Sequence, residues 1–195
     1  GLGDVYKRQP PDTCIYAIGD IHGRLDLLQQ LEAQIIADAS QQKATRKVIV
    51  YLGDYVDRGF QSNQVLEHLI TKPLEGFESI YLKGNHEDAM LRFLDGDEHA
   101  DAWLLWGGDA TLRSYDTAFR DSNGKPHTGI ELSVPFAEKF PHHHRQFCES
   151  LSLYHIENDY CFVHAGIRPG IALGEQDIRD LLYIREEFIC SPEPL

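Results

Sequence analysis

Three short segments of this chain put carboxylate, imidazole and amide side chains next to glycines at the end of an apolar run. They are Gly19-Asp20-Ile21-His22-Gly23, Gly53-Asp54-Tyr55-Val56-Asp57-Arg58-Gly59 and Gly84-Asn85-His86-Glu87. A shorter one, His164-Ala165-Gly166, closes the run at 160–163. Asp and Asn oxygens with His nitrogens form a donor set of borderline hardness, suited to Mn²⁺, Fe or Zn²⁺ rather than to Ca²⁺. Asp20, His22, Asp54, Asn85 and His164 are too many ligands for one tetrahedral ion that keeps an open position. They are enough for two ions if one carboxylate bridges. Two ions about 3.5–4 Å apart clamp the attacking and leaving oxygens of an in-line displacement and lower the pKa of a bound water, so the set suits phosphate-ester hydrolysis. One such segment alone could be a plain strand-to-helix turn, with Asp capping and glycine supplying positive φ; three in order argue against that.

The elements between the segments place them. A β-rich run at 13–18 predicts a buried strand, and Leu25, Leu28, Leu31, Ile35 and Ala39 recur at helical spacing over 24–39. A strand at 47–52, a helix at 61–71 stopped by Pro73, a strand at 78–82 and a helix at 87–94 follow. The motif segments are spaced by about 30 residues, the length of a β-α-β unit, and each sits at a strand C-terminus, the rim where open α/β sheets bind ligands. Further on, Asp109 is an expected N-cap, 121–129 a loop, and 134–151 mostly helix around Pro141. A hairpin pairs 153–156 with 160–163, and 177–189 reads as helix. Residues 1–11 read as a disordered leader or a scar, with the domain over 12–195.

Composition narrows the function. The 195 residues carry a net charge of −13, from 18 Lys and Arg against 31 Asp and Glu, which argues against an electrostatic grip on nucleic acid. The four cysteines, Cys14, Cys148, Cys161 and Cys190, show no CxxC spacing, and Cys14 and Cys161 lie in apolar runs where thiols serve as small core residues. No apolar run reaches the roughly 20 residues of a membrane span, and no signal-peptide pattern is present. The expectation is a cytoplasmic protein with no nucleic-acid or membrane partner.

In this order the four segments resemble the motifs of the calcineurin-like metallophosphoesterases. The intact Val56-Asp57-Arg58-Gly59 and Gly84-Asn85-His86-Glu87 resemble the serine/threonine protein phosphatase branch with its bacterial and phage members. The resemblance covers residues 13–188. It implies an α/β fold, a β-sandwich flanked by helices (α/β/β/α), with a mostly helical insertion over 87–151. It also implies two divalent ions, Mn²⁺ with Fe or Zn²⁺ as alternatives. Asp20 and His22 would hold the first, Asp54 would bridge, and Asn85 and His164 would hold the second. Asn85, Arg58 and Arg185 would bind the substrate phosphate, and His86, oriented by Asp57, would be the general acid.

The implied activity is hydrolysis of phosphate monoesters, with phosphoserine and phosphothreonine of a phosphoprotein, or a small phosphoester, as substrate. A diadenosine-polyphosphate hydrolase shares most motifs, but Asp57 speaks against it because that branch typically replaces this aspartate. The family carries a further metal-ligating histidine beyond the point where this sequence stops. The resemblance therefore implies a C-terminally incomplete domain, with an inactive fragment or phosphate-binding regulatory module as a second alternative. The motifs fix no oligomeric state.

Several residues have plainer readings. His142-His143-His144 reads as a solvated helix face rather than ligands. Trp103 and Trp106, three apart in a helical stretch, read as a core-facing pair rather than a nucleobase platform. His68, His99, His127 and His155 read as surface residues, and Arg185 reads equally as a helix ion-pair partner of Glu186 or Glu187.

Overall fold

The structure is a computed structural model that describes residues 12–191; the leader expected over 1–11 lies outside them. Strands β1 (Thr13–Ile18), β2 (Arg46–Tyr51) and β3 (Glu78–Tyr81) form a parallel sheet in that order, joined by helices α1 (Leu25–Ala39) and α2 (Ser62–Thr71). Central β2 is apolar on both faces, as a strand covered from two sides must be. Ile49 and Tyr51 face a large core with Leu28 and Ile35 of α1 and Val65, Leu66 and Leu69 of α2. Val48 and Val50 pack with Leu82 on the other face, against Phe162.

Phe162 belongs to the expected hairpin, β4 (Tyr154–Glu157) and β5 (Tyr160–Val163), which pairs Glu157 with Tyr160 across Asn158-Asp159. Among the described residues, this hairpin is the second layer of the implied sandwich. Arg46 ties it down, with its guanidinium on both Glu78 of β3 and Glu157 of β4.

Helices α3 (Asn85–Leu94), α4 (Asp109–Ser114), α5 (Ser133–Lys139) and α6 (His142–Ser150) pack around an aromatic cluster of Phe93, Trp103, Tyr115, Phe136 and Phe140. Asp109 is the first residue of α4 rather than its N-cap, because the chain kinks at Gly107 and Gly108 takes the cap position. The single helix expected over 177–189 is two, α7 (Ile178–Tyr183) and α8 (Glu186–Ile189). A Cβ on Gly166 would lie 2.7 Å from the ring of Phe188, so the chain bends at Ile184-Arg185 to lay that ring over a glycine. Of the cysteines Cys148 is buried, whereas Cys161 is exposed, its side chain pointing away from the Phe162 face of β5. No described helix is long and apolar enough to cross a membrane.

Two histidine expectations fail. His68 is not a surface residue: it bonds Glu32 at 2.8 Å, and Glu32 also accepts from Tyr51 at 3.1 Å. His144 is 0% exposed rather than solvated, with Nδ1 on the Tyr115 hydroxyl and Nε2 on Glu67, which also holds His143. The helix turns His144 inward onto the aromatic cluster, which charge patterning alone does not reveal. Burial holds the His144 imidazole below its ordinary value of 6.5, against the pull of Glu67. The unfolded chain therefore takes up this proton first, and stability is lost as pH falls below about 6.5. Thermal melts from neutral pH down to about pH 5 should show this slope, and His144→Gln should flatten it; an unchanged slope in the variant would assign the effect to other groups.

Candidate metal centre

The loops after β2 and β3 are held together by one buried carboxylate, that of Glu87 in the first turn of α3. Its Oε2 accepts from the backbone N–H of Asp54 (2.8 Å) and Gly84 (3.0 Å), and its Oε1 from Tyr55 (2.8 Å) and Val56 (3.3 Å). Burial drives a carboxyl toward its protonated form. A proton on either oxygen would oppose the N–H groups already pointing at it, so the arrangement is that of a carboxylate. The two loops can touch because a Cβ on Gly53, at φ 103°, would lie 2.5 Å from the nitrogen of Gly84.

This clamp aims Asp54, which is 3% exposed and at φ 55°. Its Oδ2 lies 3.8 Å from Nε2 of His22, and its Oδ1 lies 3.6 Å from Nε2 of His164 and accepts from the His86 backbone at 3.1 Å. Asp54 is thus shared by two donor groups, one with His22 and His86, the other with Asp20 and His164. His22 Nδ1 donates to the Val56 carbonyl at 2.7 Å, which leaves Nε2 as a lone pair. That Nε2 is buried, 3.7 Å from Asp20 and without a hydrogen-bond partner. His164 repeats the pattern, with Nδ1 on the Leu52 carbonyl at 2.9 Å and Nε2 2.9 Å from Oδ1 of Asn85. Two lone pairs face each other there unless a proton or a cation stands between them. A histidine fixed through one nitrogen so that the other is presented is how proteins prepare metal ligands. The five residues read as ligands therefore meet at one place, and the donor set fits divalent ions.

His86 stands beside them on α3. Its Nδ1 is 2.6 Å from Oδ2 of Asp57, an oxygen that also accepts from Trp103 Nε1 at 2.6 Å, while Oδ1 accepts from Thr111 at 2.7 Å. Burial raises the Asp57 carboxyl and these three donors oppose it. Burial would likewise lower His86, but its bond to Asp57 and the charges of Asp54, Asp57 and Glu87 hold the imidazole above its ordinary value. Nε2 of His86 faces the pocket, 3.4 Å from Nη2 of Arg58. Arg185 lines the same pocket from the bend between α7 and α8, and makes no ion pair among the described residues.

Trp103, Thr111 and Glu87 support the site, yet sequence reading gave none of them a role. Trp103 and Thr111 lie in the helical region, which carries no motif. Glu87 stood inside a motif, and its signal was a carboxylate three residues after a glycine at a helix start. Glu87→Gln would turn an amide N–H₂ toward backbone N–H groups. It should cost about 1–3 kcal/mol in urea unfolding and lower metal content together with it. An unaltered midpoint with full metal binding would remove Glu87 from this role.

The calcineurin-like phosphoesterase family model matches residues 14–188 of the chain. The asymmetrical bis(5′-nucleosyl)-tetraphosphatase PrpE of Oceanobacillus iheyensis is 30% identical over 188 residues, 91% of this chain and 68% of that protein. Serine/threonine-protein phosphatase 2 of Escherichia coli is 38% identical over 96 residues, 49% of this chain and 38% of that protein. A solved structure described as a candidate diadenosine tetraphosphatase shares the fold, with TM-score 0.54 at 20% identity over 89% of this chain and 62% of that one. The chain thus spans between 38% and 68% of the length of these relatives. A family model that takes in nearly all the described residues, every motif loop included, makes this chain a member of the calcineurin-like phosphoesterases.

Proposed function

We propose that this chain carries the active site of a metal-dependent phosphoesterase whose substrates are nucleoside polyphosphates. The observation that carries the hydrolytic part is Asp54, whose two oxygens turn toward two separate imidazoles, His22 and His164. Asp20, His22, Asp54, Asn85 and His164 would hold two divalent ions, Mn²⁺, Fe or Zn²⁺. Bound there, such ions supply polarisation of the phosphoryl oxygens and acidification of water. The substrate class is supported by relatives named bis(5′-nucleosyl)-tetraphosphatases, which match 77–91% of the chain, against 49% for the serine/threonine phosphatase.

The remaining steps belong to side chains. Arg58 and Arg185 grip phosphate oxygens from two walls of the pocket, and guanidinium forks suit that task. Asp57 fixes His86 through Nδ1, so that Nε2 presents its proton to the departing oxygen. Asp57 is also the observation that favours a second reading, protein phosphatase. A serine alkoxide leaves badly without a proton, whereas a nucleotide phosphate scarcely needs one.

Activity should require the divalent ion and disappear in excess chelator; full turnover with EDTA would end the two-ion reading. The kcat/KM for bis(5′-adenosyl) tetraphosphate should exceed that for a phosphoserine peptide, and the reverse order would select protein phosphatase. His86→Asn should leave metal content intact and cost about 10²–10⁴ in rate on the phosphopeptide, much less on the dinucleotide. A drop in metal stoichiometry would make His86 a ligand instead.

A further inference from the structure

Trp106 has no part in holding metal or moving protons, yet its indole forms part of the wall of the same pocket, beside Arg58, Asn85 and His86. Its ring centroid is 6.0 Å from that of His86, at 60°. The indole is 40% exposed, against 1% for Trp103 three residues earlier. The helical course breaks just after Trp106, where the chain kinks at Gly107, at φ 105°. Residues three apart in an unbroken α-helix share a face, whereas here Trp103 turns to the core and Trp106, the residue before the kink, to the pocket.

The indole is also held in register with the phosphate grip. The carbonyl of Gly107 accepts from the Arg58 backbone at 3.1 Å, and a Cβ on Gly107, at φ 105°, would lie 2.9 Å from Arg58. The loop bearing Trp106 and the loop bearing Arg58 are therefore pressed together. An exposed indole face at this distance from an arginine suits a ligand that joins a phosphate to a flat aromatic group.

We propose that Trp106 is a nucleobase platform, on which the base of a nucleoside polyphosphate stacks while its phosphates reach Arg58 and the metal centre. This rests on the nucleotide reading above and adds the residue that would recognise the nucleoside. Stacking is tolerant of base identity because every base has a π-face, so purine and pyrimidine nucleotides should be treated alike to within a modest factor. It is worth about 1–3 kcal/mol per base by alanine substitution, or about 5- to 150-fold.

The test compares bis(5′-adenosyl) tetraphosphate with inorganic tripolyphosphate, which has no base. Trp106→Ala should lower the ratio of their kcat/KM values by about 5- to 150-fold, and Trp106→Phe, which keeps an aromatic face, should restore it to within about threefold. Independently, adenosine monophosphate should quench tryptophan emission in the wild-type chain and not in Trp106→Phe, where only buried Trp103 remains. An equal fall on both substrates would show a merely structural residue, and an unchanged ratio would show that no base touches the indole; either overturns the platform. Should the wild type hydrolyse phosphopeptide and not dinucleotide, the substrate reading fails. In that case the platform stands if the mononucleotide still quenches Trp106, and falls if it does not.

Discussion

Four backbone N–H groups on two carboxylate oxygens of Glu87 are the interaction on which the site depends. A strand-end loop left to itself would solvate its amides and sample many conformations. Here the amides of residues 54–56 and of Gly84 converge on one buried carboxylate. The cost of burying it is met only if all four donors stay in place, so the loops after β2 and β3 have little freedom to move independently. Asp54 is aimed as a consequence. Its positive φ is a conformation that a non-glycine residue keeps only where its surroundings impose it.

A second buried carboxylate extends the same logic into the helical region. Asp57 accepts from His86, from Trp103 and from Thr111, three residues that come from α3, the segment after it and α4. Its own N–H bonds Thr111 and Ser62. The His86 imidazole is therefore positioned by the packing of helices against the sheet rather than by its own loop. Trp103 serves both sides of this junction, with its ring stacked in the aromatic cluster and its N–H on the Asp57 carboxylate. Beside the kink at Gly107, one tryptophan, Trp103, points inward as support and the next, Trp106, stands at the pocket.

Electrostatics follow from this construction. Asp20, Asp54, Asp57 and Glu87 bring four carboxylates to one rim of the sheet, with His22 and His164 presented as lone pairs between them. Such a concentration of negative groups is stable when cations share it, and the arginines Arg58 and Arg185 reach only the pocket walls. The overall charge of −13 is in this sense partly a local feature of the site.

The sequence by itself determined the parts that depend on near neighbours along the chain. Glycines beside Asp20, Asp54 and Asn85, apolar runs before them and helical periodicity after them led directly to a parallel α/β unit with five candidate ligands at one rim, because strand direction and motif position are local properties. The roles expected of His86, Asp57 and Arg58 came from the resemblance to the phosphoesterase motifs, and the structure brings the three side chains together. What only the tertiary structure decided were matters of which face a residue turns to. Trp103 and Trp106 turn to different surroundings just before a kink at Gly107, the expected helix over 177–189 is two with Arg185 between them on the pocket wall, and His144 turns inward onto the aromatic cluster. The role of Glu87 was hidden likewise, since its partners are backbone amides up to 33 residues away, and no side-chain pattern records where a distant backbone will point.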